Sequence, residues 1–323
     1  MIEIVFGKMD MEKAYELAKA LPDLEEVEIS AILAALEAKG YDSEILAGFA
    51  KAILEKSSIN LGKVFDTCGT GGDNSKTINV STAIAIALAN FTRVAKHGNR
   101  AMSSKSGSAD VLEKLGFKID LPPEKTEKLI SETNFAFLFA PIYHKSFLRV
   151  AAVRKKLKIR TIFNVLGPIV NPANPKKQII GVSNEPLLYI VAEVLELLGR
   201  EGIVYYGNGL DEVSPNAETT AIFVENGLEK IIFTPEDFGI ERTRIIPCNS
   251  SEESAERIKA VFSGRGFEED KKLLAINFAL ALNALGYENL RENVSIFEEY
   301  IENGKIARKL EEIICKSMIL SNL

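Results

Sequence analysis

The sequence contains few residues of the kinds that build metal centres, disulfide frameworks or covalent active sites. Its three cysteines, Cys68, Cys248 and Cys315, are odd in number and far apart, which excludes a disulfide framework and a cysteine zinc site. Two histidines leave little room for a histidine-rich metal site. The chain has no Gly-x-Ser-x-Gly turn, no His-Glu-x-x-His and no Cys-x-x-Cys, so nothing indicates covalent catalysis or a zinc hydrolase.

A basic surplus and a long apolar run are also missing. With 39 basic and 45 acidic residues, the formal net charge of -6 argues against a nucleic-acid binder. No stretch reaches the roughly 18 apolar residues of a membrane-spanning helix. The start, MIEIVFGKMD, has no basic segment before an apolar run, so no signal peptide and a cytoplasmic location are expected. At 323 residues and 46% hydrophobic, the composition is typical of a soluble globular protein, with length enough for two domains.

Residues 1–62 are predicted to be helical. EISAILAALEAKG is rich in alanine and leucine, and Gly40 stands where a helix end favours a left-handed residue. A further helix is predicted to begin near Asp42 or Ser43. The region is interpreted as a helical bundle that serves packing, with contact in a dimer as its further role.

From residue 63, short apolar runs alternate with helical stretches. KVF, RVA, FAFLFA, KQIIGVS and GIVYYG are predicted strands, and this alternation indicates a mostly parallel sheet. TAIFVENGLEKIIF is predicted to be a hairpin that turns at Asn226-Gly227, and the chain from Glu252 onward is helical again. The predicted fold class is α/β, with a small N-terminal helical domain (1–62) and a larger α/β domain (63–323) whose central sheet is flanked by helices.

A glycine-rich loop, residues 66–73, follows the first predicted strand. Three glycines in four positions allow a tight turn whose N–H groups form an anion cradle. Asn74 excludes the dinucleotide fingerprint, and no Gly-Lys-Ser/Thr ending follows. Residues 77–82 begin the next helix, where free N–H groups favour phosphate. A tight turn without ligand and ordinary helix capping remain the alternatives.

A second loop, residues 96–108, lies between the next strand and helix. It carries three cations, several hydroxyls and two glycines, so it predicts another anion cradle at the carboxyl end of a strand. The alternative is a solvated basic loop. Two such loops after successive strands favour a shared ligand.

Two charged segments complete the candidate site. Asp211-Glu212 follows the strand GIVYYG, and a pair of carboxylates suits magnesium, although most acidic pairs in loops are solvated surface. Residues 145–160 carry seven cations without an acid, most of them interpreted as a solvated helix face. Arg154 is singled out because arginine makes forked contacts to carboxylates.

These motifs together resemble a known family. GTGGD at 69–73, NVST at 79–82, KHGNRAMSSKSGSADVLEKLG at 96–116, RTIFNVLGPIVNP at 160–172 and GLDEVSP at 209–215 are similar, in order and spacing, to the anthranilate phosphoribosyltransferases. The resemblance covers essentially the whole chain. KHGNR and SSKSGSAD occur in looser form in related nucleoside phosphorylases, whereas the combination with GTGGD and GLDE is more specific.

The resemblance implies a reaction and an architecture. The family transfers a phosphoribosyl group from 5-phosphoribosyl 1-pyrophosphate to the amino group of anthranilate, a step of tryptophan biosynthesis. It implies a helical domain on an α/β domain, a hinge-associated helical segment near 145–170, and a homodimer that pairs through the helical domains. It also implies two Mg²⁺ ions as cofactor.

The resemblance further implies the residues of the site. Those expected to bind 5-phosphoribosyl 1-pyrophosphate are Gly69, Gly72, Asp73, Thr77, Asn79, Val80, Ser81, Thr82, Lys96, His97, Gly98, Asn99, Arg100, Ala101, Met102, Ser103, Ser104 and Ser108. Those expected to bind anthranilate are Gly69, Asn99, His144, Arg154, Gly167 and Pro168. Magnesium is expected on Ser81, Asp211 and Glu212, and the catalytic set is Asp211, Glu212, Arg154 and Asn99.

One departure and two rival interpretations remain. The family usually has His-Pro-Ala where this chain has His144-Lys145-Ser146, which affects the loop beside the aromatic substrate. A nucleoside phosphorylase of the same fold is one rival, and the intact GTGGD and GLDE segments count against it. A non-catalytic ligand-binding relative is the other, and the complete set of ligand loops counts against it.

Overall fold

A seven-stranded sheet forms the centre of the structure, which is a computed structural model that describes residues 1–72, 76–101 and 106–323. The strands are β1 (Phe65–Gly69), β2 (Val94–Gly98), β3 (Phe135–Phe139), β4 (Lys177–Gly181), β5 (Glu201–Tyr206), β6 (Thr219–Val224) and β7 (Leu228–Phe233). Their order is β3-β2-β1-β4-β5-β6-β7. The first five are parallel, and β6 and β7 are antiparallel, as the sequence predicted.

Helices cover both faces of this sheet. They are α1 (Ile2–Phe6), α2 (Met11–Ala20), α3 (Glu26–Lys39), α4 (Ser43–Glu55), α5 (Val80–Leu88), α6 (Ser108–Leu115), α7 (Pro123–Thr133), α8 (Ala140–Tyr143), α9 (Leu148–Leu157), α10 (Phe163–Leu166), α11 (Pro186–Leu197), α12 (Ser251–Phe262), α13 (Glu268–Ala284), α14 (Leu290–Glu302) and α15 (Lys305–Asn322). In the described ranges, no helix combines the length and apolar character needed to cross a membrane.

The predicted break in the N-terminal helices is confirmed. Gly40 ends α3 with a positive φ of 82°, a conformation that glycine adopts without steric cost. The Asp42 side chain then accepts a hydrogen bond from the Ile45 amide at 3.0 Å and caps α4. Gly48 of α4 lies so close to α2 that an added Cβ would overlap the carbonyl oxygen of Met11.

The two faces of the sheet lie in different hydrophobic cores. Ile179 and Ile203 face a core that includes α5, α6 and α12 to α15. Ile180 and Val204 face a core that joins α1 to α4, α9 to α11 and the sheet. Because both faces are buried, the strands carry nearly continuous apolar runs. The N-terminal helices therefore pack through one core with the 147–170 segment, and the domain division at residue 62 stays a prediction.

The hairpin after β5 turns at the predicted dipeptide. Asn226 and Gly227 have φ values of 55° and 123°, and Val224 pairs with Leu228. Positive φ at both positions suits asparagine and glycine. This hairpin gives the parallel sheet its antiparallel edge.

Candidate active site

The candidate site is a cleft of about 710 Å³ at the carboxyl ends of the parallel strands. β1 has β2 on one side and β4 on the other, so the chain order reverses at β1. Open α/β sheets bind ligands at such a switch point. Most of the residues predicted to bind a substrate or metal line this cleft: Gly69, Gly72, Thr77, Asn79, Val80, Ser81, Lys96, His97, Gly98, Asn99, Arg100, Ala101, Ser108, His144, Arg154, Gly167, Pro168, Asp211 and Glu212.

Some residues that were predicted to bind a substrate or metal do not line the cleft. Asp73, Met102, Ser103 and Ser104 lie outside the described residues. Thr82 is fully buried, and its side chain is absent from the cleft surface. Its amide donates to Oδ1 of the capping Asn79 at 3.1 Å. Its amide is therefore used in the helix cap, and its role in binding 5-phosphoribosyl 1-pyrophosphate stays a prediction.

Glycines at the strand ends let the acidic segment lie directly over the sheet. A Cβ on Gly69 would overlap the Asp211 carboxylate, and one on Gly181 would overlap the Asp211 carbonyl oxygen. A Cβ on Gly207, just after β5, would overlap the carbonyl oxygen of Glu212. The missing side chains thus create the space in which the acidic pair sits.

The acidic pair contacts the glycine-rich loop and the segment that follows it. The Gly71 amide donates to Asp211 Oδ2 at 2.7 Å. The Thr77 hydroxyl donates to Glu212 Oε1 at 2.7 Å. The next residue, Val213, is fixed because its amide donates to the Asn277 side chain at 2.8 Å. The structure therefore brings together two segments that the sequence placed far apart.

Lys96 is a buried cation beneath the cleft. It is 1% exposed, and its Nζ donates to the Thr67 carbonyl at 2.8 Å and to Ser81 Oγ at 3.1 Å. Burial raises the pKa of the nearby Asp66 carboxyl, and the Lys96 charge opposes that rise. The ammonium joins the end of β1 to the first turn of α5 and directs the Ser81 hydroxyl.

The N-terminus of α5 opens toward the cleft. The Asn79 side chain caps the helix, and the Asn79 amide donates to Ser254 Oγ of α12 at 2.8 Å. Val80 and Ser81 line the cleft at the first turn. A helix N-terminus carries partial positive charge, so this arrangement favours an anion.

The second predicted loop is closed by Asp110. Its Oδ2 accepts hydrogen bonds from the amides of Ala101 and Gly107 at 2.9 and 3.0 Å. The Asn99 carbonyl accepts from the Ala109 amide at 3.2 Å. Arg100 lines the cleft and pairs with Asp110 at 3.3 Å. The described ends of this loop are therefore tied to the start of α6.

A pair of histidines lies between this loop and the Gly167-Pro168 turn. His97 Nδ1 is 3.0 Å from the Gly167 carbonyl oxygen, and His97 Nε2 is 3.1 Å from His144 Nε2. His97 donates to the carbonyl through Nδ1, so its bare Nε2 accepts from His144. Burial lowers the pKa of His97 to about 3 and that of His144 to about 4. Both rings are therefore neutral at pH 7.

Arg154 provides a half-buried cation on the same side. Its Nε donates to Thr161 Oγ1 at 3.0 Å, its Nη2 donates to Asn164 Oδ1 at 3.3 Å, and its guanidinium lies 5.2 Å from the Phe163 ring centre. Burial lowers its pKa to about 10, so it stays charged at neutral pH. These partners are all uncharged, and the arrangement leaves the guanidinium suited to a ligand carboxylate.

Some cleft residues were missed by the sequence prediction. The guanidinium of Arg160 lies against Gly72, 2.6 Å from where a Cβ would be. It begins the motif RTIFNVLGPIVNP and belongs to the basic segment, but neither was interpreted as a contact with the glycine-rich loop. Cys248 and Ser250 also line the cleft, and the Cys248 amide donates to the Lys76 carbonyl. No sequence motif marked these two, because they approach the loop only through folding.

The donor set fits magnesium better than a softer metal. Asp211, Glu212 and Ser81 offer two carboxylates and a hydroxyl on one cleft surface. Across the described ranges, no group of three or more histidine, cysteine or acidic side chains converges as a metal cage. Magnesium takes hard oxygen ligands, uses one or two carboxylates and completes its shell with phosphate oxygens and water.

Comparisons with a family model and with known proteins point to the same family. Residues 61–307 match the family model described as glycosyl transferase family, a/b domain. The chain is 50% identical over 313 residues to the anthranilate phosphoribosyltransferase of Pyrococcus furiosus, covering 96% of both chains. It is 64% identical over 317 residues to the tryptophan biosynthesis protein TrpCD of Archaeoglobus fulgidus. That match covers 98% of this chain but spans only 58% of the TrpCD protein.

Solved structures show the same fold. The anthranilate phosphoribosyltransferase of Thermus thermophilus superposes with a TM-score of 0.91 at 33% identity, covering 98% of this chain and 99% of that one. The Saccharomyces cerevisiae enzyme in complex with PRPP and Mg superposes with a TM-score of 0.89 at 29% identity, covering 100% and 97%. These matches extend over the helical and α/β parts alike.

Proposed function

The chain belongs to the anthranilate phosphoribosyltransferases of the glycosyl transferase family, and we propose that it carries out their reaction in the cleft described above. The family transfers the phosphoribosyl group of 5-phosphoribosyl 1-pyrophosphate to the amino group of anthranilate in tryptophan biosynthesis. The observation that carries the proposal is the joining of the glycine-rich loop to the acidic pair, Gly71 to Asp211 and Thr77 to Glu212. A phosphate cradle and a magnesium site then share one surface.

We assign 5-phosphoribosyl 1-pyrophosphate (PRPP, the sugar diphosphate substrate) to the glycine-rich loop and the first turn of α5. A relative from Saccharomyces cerevisiae was solved in complex with PRPP and Mg. In this chain, Asp211, Glu212 and Ser81 are the proposed magnesium ligands, with two ions in the site. Bound there, magnesium supplies neutralisation of the pyrophosphate charge.

The chain's own residues stabilise the departing group. As the bond from the anomeric carbon to pyrophosphate weakens, negative charge grows on the pyrophosphate. The partial positive charge at the start of α5 lies on the cleft surface beside the glycine-rich loop and stabilises this charge. Because the charge is larger in the transition state, this interaction increases the rate as well as the affinity.

Anthranilate is assigned to the surface formed by Arg154, Asn99 and the Gly167-Pro168 turn. Arg154 is suited to the substrate carboxylate because its other partners are neutral. The yeast relative was also solved in complex with 4-fluoroanthranilate. An aromatic amine is a neutral nucleophile, so the reaction needs alignment more than a strong base.

A second copy of this chain is the proposed partner, bound through the N-terminal helices. Phe6 of α1 is 73% exposed and Val27 of α3 is 80% exposed. Large apolar side chains at such exposure indicate a contact surface when they cluster on neighbouring elements. A cytoplasmic location belongs to the same proposal, because the charged sugar diphosphate does not cross membranes unaided.

The proposed reaction is tested by the loss of anthranilate fluorescence. The purified chain is mixed with anthranilate, 5-phosphoribosyl 1-pyrophosphate and Mg²⁺, and each component is omitted in turn. Loss of fluorescence only in the complete mixture is the expected result. No loss in the complete mixture, or phosphate-dependent cleavage of a nucleoside by the same preparation, contradicts the assignment.

A further inference from the structure

Two buried arginines hold segments that border the cleft without lining it themselves. Arg200 is 3% exposed and Arg257 is 7% exposed, and neither belongs to the cleft surface. Arginine is seldom buried unless its donors are satisfied. Arg200 donates to one backbone carbonyl and Arg257 to two, and in each case the carbonyls belong to a segment that leads to a proposed substrate surface.

Arg200 holds the segment assigned to the anthranilate side. Its Nη1 donates to the Ile169 carbonyl at 2.7 Å and to Gln178 Oε1 at 3.2 Å. The Gln178 side chain donates in turn to the Pro168 carbonyl at 3.4 Å. Because His97 donates to the Gly167 carbonyl, three successive carbonyls of this wall each receive a side-chain donor.

The same segment is anchored at its far end. The Asn171 side chain donates to Asp66 Oδ2 and to the Ala95 carbonyl, both at 2.7 Å. Arg200 also donates from Nη2 to Asn174 Oδ1 at 2.8 Å. Residues 167–174 are thus fixed from several strands of the sheet, with Arg200 contacting both halves of the segment.

Arg257 holds a segment on the sugar diphosphate side. From α12, its Nη2 donates to the Ile246 carbonyl and its Nη1 to the Pro247 carbonyl, both at 3.0 Å. Its Nε donates to the buried Asp270 at 2.8 Å. The next residue, Cys248, donates its amide to the carbonyl of Lys76, which lies between the glycine-rich loop and Thr77.

The helix that carries Arg257 also contacts the phosphate-binding helix. Ser254, three residues earlier on α12, accepts a hydrogen bond from the Asn79 amide at 2.8 Å. One helix therefore supports both the segment after the glycine-rich loop and the cap of α5. A displacement of α12 would therefore alter its contact with Asn79 and the contacts of Arg257 with residues 246 and 247 together.

We propose that Arg200 and Arg257 are positioning residues for different substrates, Arg200 for anthranilate and Arg257 for 5-phosphoribosyl 1-pyrophosphate. The inference rests on the proposed function, because it uses the substrate surfaces assigned there. A guanidinium donates to several oxygen atoms at once in one fixed plane, whereas the ammonium of lysine has no such planar arrangement of donors. Since a shift of about 1 Å in a binding wall costs on the order of 10²-fold in rate, this fixation affects turnover.

The test compares Arg200→Lys with Arg257→Lys, which keep the buried charge but lose the fork. Steady-state kinetics are measured with each substrate varied, together with the Kd of each substrate. Arg200→Lys is expected to raise KM and Kd for anthranilate about tenfold and leave those for the sugar diphosphate within about twofold. Arg257→Lys is expected to show the reverse pattern. General destabilisation of the fold lowers the fraction of active protein, which reduces the apparent kcat but does not raise the KM of one substrate relative to the other.

Gentler variants keep the test decisive where a lysine variant does not fold. Gln178→Met removes the donor to the Pro168 carbonyl, and Ser254→Ala removes the acceptor of the Asn79 amide. Gln178→Met is expected to raise the KM for anthranilate and Ser254→Ala the KM for 5-phosphoribosyl 1-pyrophosphate, each by less than the lysine variants do. Equal changes in both KM values across these pairs overturn the positioning roles. Failure of the wild-type chain to consume anthranilate overturns the proposed function instead, so the two failures are distinguishable.

Discussion

The amide of Gly71 donates a hydrogen bond to the carboxylate of Asp211 at 2.7 Å, across 140 positions of sequence. The contact is possible because β1 and β5 both end at the same edge of the sheet, with β4 between them. The Asp211 carbonyl lies over the Gly181 backbone at the end of β4. This meeting of three strand ends places the acidic pair beside the glycine-rich loop.

Replacing the acidic pair with Asp211→Asn and Glu212→Gln is expected to abolish the magnesium-dependent reaction. The amide oxygens can still accept from Gly71 and Thr77, so the fold is retained while the charge is lost. We expect kcat/KM to fall by roughly 100-fold or more, because several kcal/mol of charge stabilisation are removed. Activity is measured against Mg²⁺ concentration. Glu201→Gln, at the opposite end of β5, is the control, and wild-type turnover in the double variant refutes the role.

Arg154→Ala is expected to weaken the use of anthranilate selectively. Loss of a charged hydrogen bond to the carboxylate costs about 1.5–3 kcal/mol, which corresponds to a KM for anthranilate raised roughly 10- to 100-fold. The KM for 5-phosphoribosyl 1-pyrophosphate is expected to change little. Arg149→Ala on the same helix is the control, since Arg149 is partly exposed and pairs with Glu25. An equal fall in both affinities argues against a carboxylate contact.

Gly181→Ala is expected to impair activity and stability together. The added methyl group meets the carbonyl of Asp211, so the acidic segment must move away from the strand ends. We expect a loss of about 1–3 kcal/mol in unfolding free energy. Urea unfolding and turnover are measured side by side with Gly7→Ala, where the nearest atom to a Cβ is 3.8 Å away. Wild-type behaviour of Gly181→Ala contradicts the close approach.

The histidine pair predicts an acid-sensitive fold. Burial holds the pKa of His97 near 3 and that of His144 near 4, below the 6.5 of the unfolded chain. The unfolded state therefore binds more protons below pH 6.5, and stability falls as the pH drops from 6.5 toward 4. At pH 5 each histidine costs roughly 2 kcal/mol relative to pH 7.

Urea unfolding of the wild type and of His144→Gln at pH 7 and pH 5 measures this dependence. The variant is expected to lose about 2 kcal/mol less between the two pH values, because one buried titrating group is gone. The difference in unfolding free energy between the two proteins at pH 7 measures the packing that the substitution itself removes. An identical drop in both proteins contradicts a depressed pKa for His144.

The dimer proposal predicts that surface charges on the N-terminal helices separate two copies. Phe6→Glu combined with Val27→Glu places charges where apolar side chains are exposed, and charges are disfavoured in the core of an interface. Sedimentation equilibrium is expected to give a dimer for the wild type and a monomer for the double variant. Ile232→Glu, 52% exposed on β7, is the control. A monomeric wild type removes the proposal.

The secondary structure was largely predictable from local sequence. Gly40, Asp42 and the Asn226-Gly227 turn occupy the positions that the sequence assigned to them, since caps and tight turns depend on a few adjacent residues. The parallel strands were recognisable because burial on both faces gives continuous apolar runs. Strand order was not encoded in any single segment.

The site was predictable in its motifs but not in all its contacts. The cleft gathers most of the predicted ligands, including Asp211 and Arg154. Thr82 belongs to the same motif as Ser81, yet it faces the core because successive residues of a helix point in different directions. Arg160 begins a recognised motif, but its contact with Gly72 was not predicted, because it arises only through folding.

The sequence by itself determined the elements, the two glycine-bearing loops and the family, because these depend on neighbouring residues and their spacing. Only the tertiary structure decided that Asp211 meets Gly71 and that Arg200 and Arg257 hold the segments at Ile169 and Ile246. Such contacts depend on strand order and on which buried donors reach which carbonyls. Those distances follow from packing of the whole chain, and local pattern does not specify them.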